Sequence, residues 1–220
     1  MRGYAKRGIW AGIVLMVLGG CLPIDLLAQE GPQRAEDWFK LGLKYQEGDE
    51  VERDLAKALR CYQRAAQMDP RRKEAFYNIG LICDEMERYK AAIEAFRRAI
   101  KIDPKFAPAY SNLGVIYQKL KNLTAAKNLY LKAVELDSTL HIAHYNLSTV
   151  YLEEGEGELA LREIHKALEY DPKNPLYNDL MGKIEGHEGQ SSLSQWTVLA
   201  IALVAIIAII VSYALGRSLR

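Results

Sequence analysis

Apolar side chains recur three or four residues apart through most of the chain, the spacing that lines one face of a helix, and nowhere alternate over a strand's length. The pattern is written in blocks. Phe76, Ile79, Gly80, Cys83, Ala92, Phe96, Ala99 and Pro104 recur as Tyr110, Leu113, Gly114, Tyr117, Ala126, Tyr130, Ala133 and Ser138, a shift of 34 residues. Each block predicts two antiparallel helices. The small pairs Gly80/Ala92 and Gly114/Ala126 fall where those helices must approach closely.

The period extends both ways. Upstream, Trp38, Leu41, Gly42 and Tyr45 precede Ala58, Tyr62, Ala65 and Pro70, with four extra residues in the turn. Downstream come His144, Leu147, Ser148, Tyr151, Ala160, Ile164, Ala167 and Pro172, where Ser replaces Gly and His an aromatic. Met181-Gly182 then repeats the first-helix step without a second helix, as expected of a terminal cap with a polar outer face. This pattern resembles the tetratricopeptide repeat family, and the long first turn with Gly48-Asp49-Glu50 and Lys57-Ala58-Leu59 is similar to the Sel-like variant. The resemblance implies an all-α superhelical solenoid of four helix-turn-helix repeats at 35–72, 73–106, 107–140 and 141–174, closed by a capping helix at 175–186.

Half of the residues are hydrophobic, but two long apolar runs lie outside the repeats. Arg2, Lys6 and Arg7 precede the run 8–18, so residues 1–28 read as a signal peptide or an N-terminal membrane segment. Three outcomes stay open there: cleavage after Ala28, lipidation at Cys21 within the lipobox-like Leu18-Gly19-Gly20-Cys21, or no cleavage. Residues 196–215 carry no charge, and at 1.5 Å per residue span about 30 Å, the thickness of a hydrocarbon core. They predict a C-terminal transmembrane helix after a Gly/Ser/Gln-rich tether at 187–195. Arg217 and Arg220 then place the tail 216–220 in the cytoplasm and the repeats outside, most simply on a bacterial inner membrane. A cytosolic, tail-anchored topology similar to that of mitochondrial fission adaptors requires that the run 8–18 not act as a signal.

Candidate chemistry is sparse. Cys21, Cys61 and Cys83 lack metal-ligand spacing, and Cys61 and Cys83 read as small buried hydrophobes rather than a disulfide. His141 and His144 lie three apart with no third ligand at helical spacing, so no metal site is predicted. No nucleophile motif or phosphate loop appears, and neither an enzymatic activity nor a cofactor is expected. Asn122-Leu123-Thr124 is sequon-like and falls in an interhelical turn.

In the resembled family the first helices line a groove that holds peptides. Carried onto this chain, that selects Phe39, Tyr77, Asn78, Leu81, Asn112, Tyr145 and Asn146 as peptide-binding candidates. The same face carries Glu36, Glu47, Glu74, Asp84, Glu85 and Glu153 against Lys40 and Lys119, while Arg97, Arg98, Lys101 and Lys132 lie on second helices. A net charge of +1 thus conceals an acidic inner and a basic outer face, and nucleic acid is not an expected partner outside the cytoplasm. The carboxylate-clamp function of some family members is disfavoured, because Phe39, Leu43, Tyr77 and Leu81 stand where Lys and Asn are needed. Asn78, Asn112 and Asn146 recur at the 34-residue spacing, and a carboxamide can bond a peptide's main chain or brace a neighbouring helix. The predicted function is a non-catalytic membrane-anchored adaptor for a protein or extended peptide in an envelope assembly. The alternative is a structural subunit of a homo-oligomer or larger complex.

Overall fold

Good helix formers fill each predicted segment, and the breaks come where a left-handed residue or an aspartate ends the run. The computed structural model describes residues 32–48, 50–186 and 202–203. The helices are α1 Ala35–Glu47, α2 Leu55–Met68, α3 Lys73–Glu85, α4 Tyr89–Ile102, α5 Ala107–Lys119, α6 Leu123–Leu136, α7 His141–Glu153 and α8 Gly157–Tyr170, followed by α9 over 175–186. The segment 1–28 with Cys21, the tether 187–195, the tail 216–220 and, apart from residues 202–203, the span 196–215 lie outside the described residues. Among the described residues no helix is long and apolar enough to cross a membrane.

The chain divides into two compact units, before and after the Arg71–Arg72 junction. In the first, α1 and α2 pair around fully buried Tyr62, whose ring lies against Gly42; a Cβ at Gly42 would come within 2.7 Å of it. The long turn is closed by its own polar groups. Gly48 takes the left-handed conformation at φ 78°, the Asp54 N–H donates to Tyr45 O at 2.8 Å, and Arg53 Nε donates to Gln46 O at 3.0 Å. Asp54 then caps α2 by accepting from the Lys57 N–H at 2.9 Å.

The second unit stacks three helix pairs and α9. Gly80 meets Phe96, and Gly114 meets Tyr130, as Gly42 meets Tyr62. In the last pair Ser148 donates to Ala160 O at 2.7 Å, and Ile164 replaces the ring. The core runs on through Leu147, Val150, Tyr151, Tyr177, Leu180 and Ile184, so α9 covers the end of the stack. Asn178 and Glu185 stand on α9 where earlier repeats place large side chains, and both are exposed.

Turns repeat as faithfully as helices. Glu87, Lys121 and Gly155, each 34 residues apart, are left-handed at φ 57°, 61° and 79°. Around them the N–H groups of Arg88, Asn122 and Glu156 reach back to Cys83, Tyr117 and Tyr151 O at 2.7, 2.9 and 2.9 Å, satisfying carbonyls that the helix ends leave open. Between repeats, Asp69, Asp103 and Asp137 accept from the N–H two residues on at 3.0, 2.9 and 3.0 Å. One residue beyond Asp103, Asp137 and Asp171 a carbonyl is bonded from six residues downstream, by three different groups. Tyr110 Oη donates to Pro104 O at 3.2 Å, His144 Nε2 to Ser138 O at 3.1 Å, and Asn178 Nδ2 to Pro172 O at 3.1 Å.

Candidate functional site

The first helices α3, α5 and α7 share one face of the second unit, and hydrogen bonds between successive helices define it. Asn112 Nδ2 donates to Tyr77 Oη at 2.9 Å, Lys119 Nζ pairs with Asp84 at 2.5 Å, and Gln118 Nε2 donates to Thr149 Oγ1 and Glu153 Oε1, both at 3.1 Å. Most join a residue to one 35 positions away, one step off the repeat period. At the far end His141 Nδ1 and Tyr177 Oη lie 2.7 Å apart.

The predicted site residues divide accordingly. Tyr77 is partly buried: its ring packs against Phe96 and Phe106 at centroid distances of 5.9 and 5.2 Å, and its hydroxyl accepts from Asn112. Burial raises its pKa, and the bond from Asn112 works the other way. Tyr145 is likewise engaged, stacked on Tyr177 at 5.0 Å. The Tyr77 ring packs within its own repeat while its hydroxyl meets the next, and the Tyr145 ring meets the capping helix.

The asparagine ladder is uneven. Asn112 also donates to Pro108 O at 3.0 Å, so its amide braces α5 against α3. Asn78 and Asn146 are partly exposed, and among the described residues their carboxamides hold no partner. Leu81 is partly buried beside them. Phe39 belongs to the first unit, partly buried on α1 with its ring 5.4 Å from Tyr62.

Two of the carboxylates on this face are engaged within the protein: Lys119 pairs with Asp84, and Gln118 donates to Glu153. Glu74 stays exposed at the start of α3. The two histidines do not converge on a common ligand: His141 meets Tyr177, and buried His144 places Nδ1 2.8 Å from Glu163 Oε2. Among the described residues no group of three or more metal-ligating side chains comes together. Cys61 and Cys83 are each free and buried, and burial raises both thiol pKa values.

Two features escaped the sequence reading. The cross-repeat bonds join different repeat positions, which a comparison of equivalent positions does not pair. Buried Glu163, by contrast, carried a signal, since Ala95 and Leu129 precede it at 34-residue spacing and an acid there breaks an apolar column.

Family models match these blocks directly. The TPR repeat model covers residues 85–121, the tetratricopeptide repeat model 107–140, and the Sel1 repeat model 32–70 and 141–170. The chain carries tetratricopeptide and Sel1 repeats. The fourth block, read from sequence as a weak tetratricopeptide unit, matches Sel1 as the first does. No curated protein sequence matches the chain. Among solved structures it is similar to the crystal structure of MamA, at 25% identity and a TM-score of 0.58 over 68% of this chain and 85% of that one. Residues 41 to the end of MamA from Desulfovibrio magneticus RS-1 align at 18% identity and a TM-score of 0.61, over 76% and 93% of the two chains. YrrB, a TPR protein with an unusual peptide-binding site, aligns at 21% and 0.57 over 76% and 84%. The last two share the fold. The repeats make this chain a scaffold of the protein-interaction type, and no enzyme family is among the matches.

Proposed function

We propose that the chain is a membrane-tethered adaptor whose first-helix face holds an extended peptide of a partner protein outside the cytoplasm. The carrying observation is the pair of partly exposed carboxamides at Asn78 and Asn146, without a partner among the described residues and flanking a braced Asn112 on one face. A carboxamide donates and accepts at once, which matches a peptide unit. YrrB, alike in fold, has a peptide-binding site by its own description, which supports this class of ligand. Glu74 adds a preference for basic residues. The uncharged run 196–215, with Arg217 and Arg220 beyond it, supports the tether and its orientation, and an inner-membrane site for the work of an envelope assembly.

The test begins with the full chain in its membrane, photo-crosslinked from position 74 to identify the partner segment. Binding of that segment is then measured for the Asn78→Ala/Asn146→Ala double variant and for Asn112→Ala. Each lost hydrogen bond is worth about 0.5–1.5 kcal/mol, so the double variant should bind about tenfold more weakly. Asn112→Ala should lower the melting temperature and change affinity less. A double variant that stays folded and binds as tightly as the native chain refutes the site. A compartment-sensitive reporter fused after Gln190 tests topology independently, and activity only in its cytosolic form refutes the extracytoplasmic placement.

A further inference from the structure

A pocket of 340 Å³ opens in the second unit away from the asparagine-bearing face, between α6, the Ser138 turn, α7 and α8. The junction between the third and fourth repeats carries smaller side chains here than the junction before it. Ser138 stands where Pro104 stood, and His144 reaches the turn carbonyl that Tyr110 reached with a larger ring. Its size lies near the lower end of ligand sites, enough for one long side chain rather than a cofactor.

The walls are Leu131, Val134 and the ring of Tyr170, with Leu131 40% and Tyr170 49% exposed at the mouth. Large apolar residues left open around a concavity are a mark of interaction sites. Charge then narrows the occupant. The lining ammonium, Lys166, is already directed at Glu163 beneath it, 3.1 and 3.4 Å from the two oxygens. Among the described residues Glu135 is held only by an exposed pair with Lys132 at 2.8 Å, which contributes little and can exchange. Glu169 lines the pocket and has no partner among the described residues. Two carboxylates, one of them uncompensated, therefore meet an aromatic face and an aliphatic wall.

We infer that this pocket receives an arginine side chain of a partner protein, its alkyl stem along Leu131 and Val134 and its guanidinium between Tyr170 and Glu169. Arginine suits every surface at once: the stem buries apolar area, the plane stacks on a ring, and the fork bonds carboxylates. It is also a residue that concentrates binding energy in small interface pockets. The site is independent of the asparagine-bearing face, so either reading can fail alone.

The probe is Nα-acetyl-arginine amide, titrated into the full chain in mild detergent while the methyl resonances of Leu131 and Val134 are followed. Saturable shifts are expected, weaker for the acetyl-lysine amide and absent for the acetyl-glutamate amide. Glu169→Gln should weaken arginine binding about two- to fivefold, the range for a partly exposed ion pair, and Glu169→Lys should reverse the preference toward glutamate. Glu94→Gln, on α4 outside the pocket lining, should change nothing. Unmoved methyls, an equal response to acetyl-norleucine amide, or undiminished arginine binding by a folded Glu169→Gln variant would each overturn the inference.

Discussion

Gly114→Ala and Gly182→Ala make the same substitution at the same repeat position, 68 residues apart, and should have opposite effects on stability. At Gly114 a Cβ would lie 2.6, 2.9 and 3.1 Å from three atoms of the Tyr130 ring. That ring cannot yield easily: it is fully buried, and its hydroxyl donates to Gln118 Oε1 at 2.9 Å. Gln118 in turn bonds Thr149 and Glu153, so displacing the ring disturbs the contact between α5 and α7 as well. Overpacking of this kind costs about 1–3 kcal/mol, and the helix gains back about 0.5–1 kcal/mol when alanine replaces glycine. A net loss of about 1–2 kcal/mol should lower the melting temperature by about 2–8 °C in a chain this long. At Gly182 nothing lies within 4 Å of the added carbon, and only the helical gain remains, raising the melting temperature by about 1–4 °C. Thermal unfolding followed by circular dichroism at 222 nm measures both shifts. A Gly114→Ala chain that melts at or above the native temperature would refute the close-approach argument, as would a Gly182→Ala chain that loses as much.

Three further tests follow from local geometry. Burial opposes ionisation of Glu163, yet bonds from His144, Lys166 and Arg162 outweigh it and hold its pKa at about 2. A depressed carboxylate stabilises the fold above its unfolded value and loses that contribution as pH falls from about 4.5 to about 2, here roughly 3 kcal/mol. Acid unfolding of Glu163→Gln should accordingly show a shallower loss across that window than the native chain, and parallel curves would contradict the assignment. Lys121→Gly should stabilise by about 1 kcal/mol, because Lys121 sits at φ 61° where a Cβ is strained, and an unchanged denaturation midpoint would count against strain at that turn. Asn122→Ala should cost about 1 kcal/mol by removing the cap on the Ala125 N–H at 3.1 Å, read as faster amide exchange in the first turn of α6; unaltered exchange would mean the cap contributes nothing.

How much of this was legible beforehand depended on whether a feature repeats in place. Gly80 and Gly114, read with Ala92 and Ala126 as small pairs, announced close helix pairs because steric fit leaves the same residue types at the same spacing, although the atoms that crowd each glycine belong to Phe96 and Tyr130. Asp69, Asp103 and Asp137 were equally periodic, although their turn bonds passed unread. Left-handed Glu87 and Lys121 could not be seen, since neither is glycine; only Gly155 betrayed the turn they share. At the candidate site, the placing of Asn78, Asn112 and Asn146 at equivalent positions was visible, but their unequal roles were not. Whether a carboxamide is free depends on its neighbour in the next repeat, and Tyr77 happens to reach Asn112.

The carbonyls of Pro104, Ser138 and Pro172 are each met by a donor six residues on, supplied in turn by a phenol, an imidazole and a carboxamide. These groups share neither size, aromaticity nor acid–base behaviour, so a comparison of residue types scores the three positions as unrelated. What these three positions share is an address in space, a proton held at fixed reach from one oxygen. Chemical identity can vary around that address, and in the fourth unit the imidazole that fills it also meets a buried carboxylate while the turn stays intact. Divergence between repeats at such a position therefore records a change of neighbours without a change of backbone.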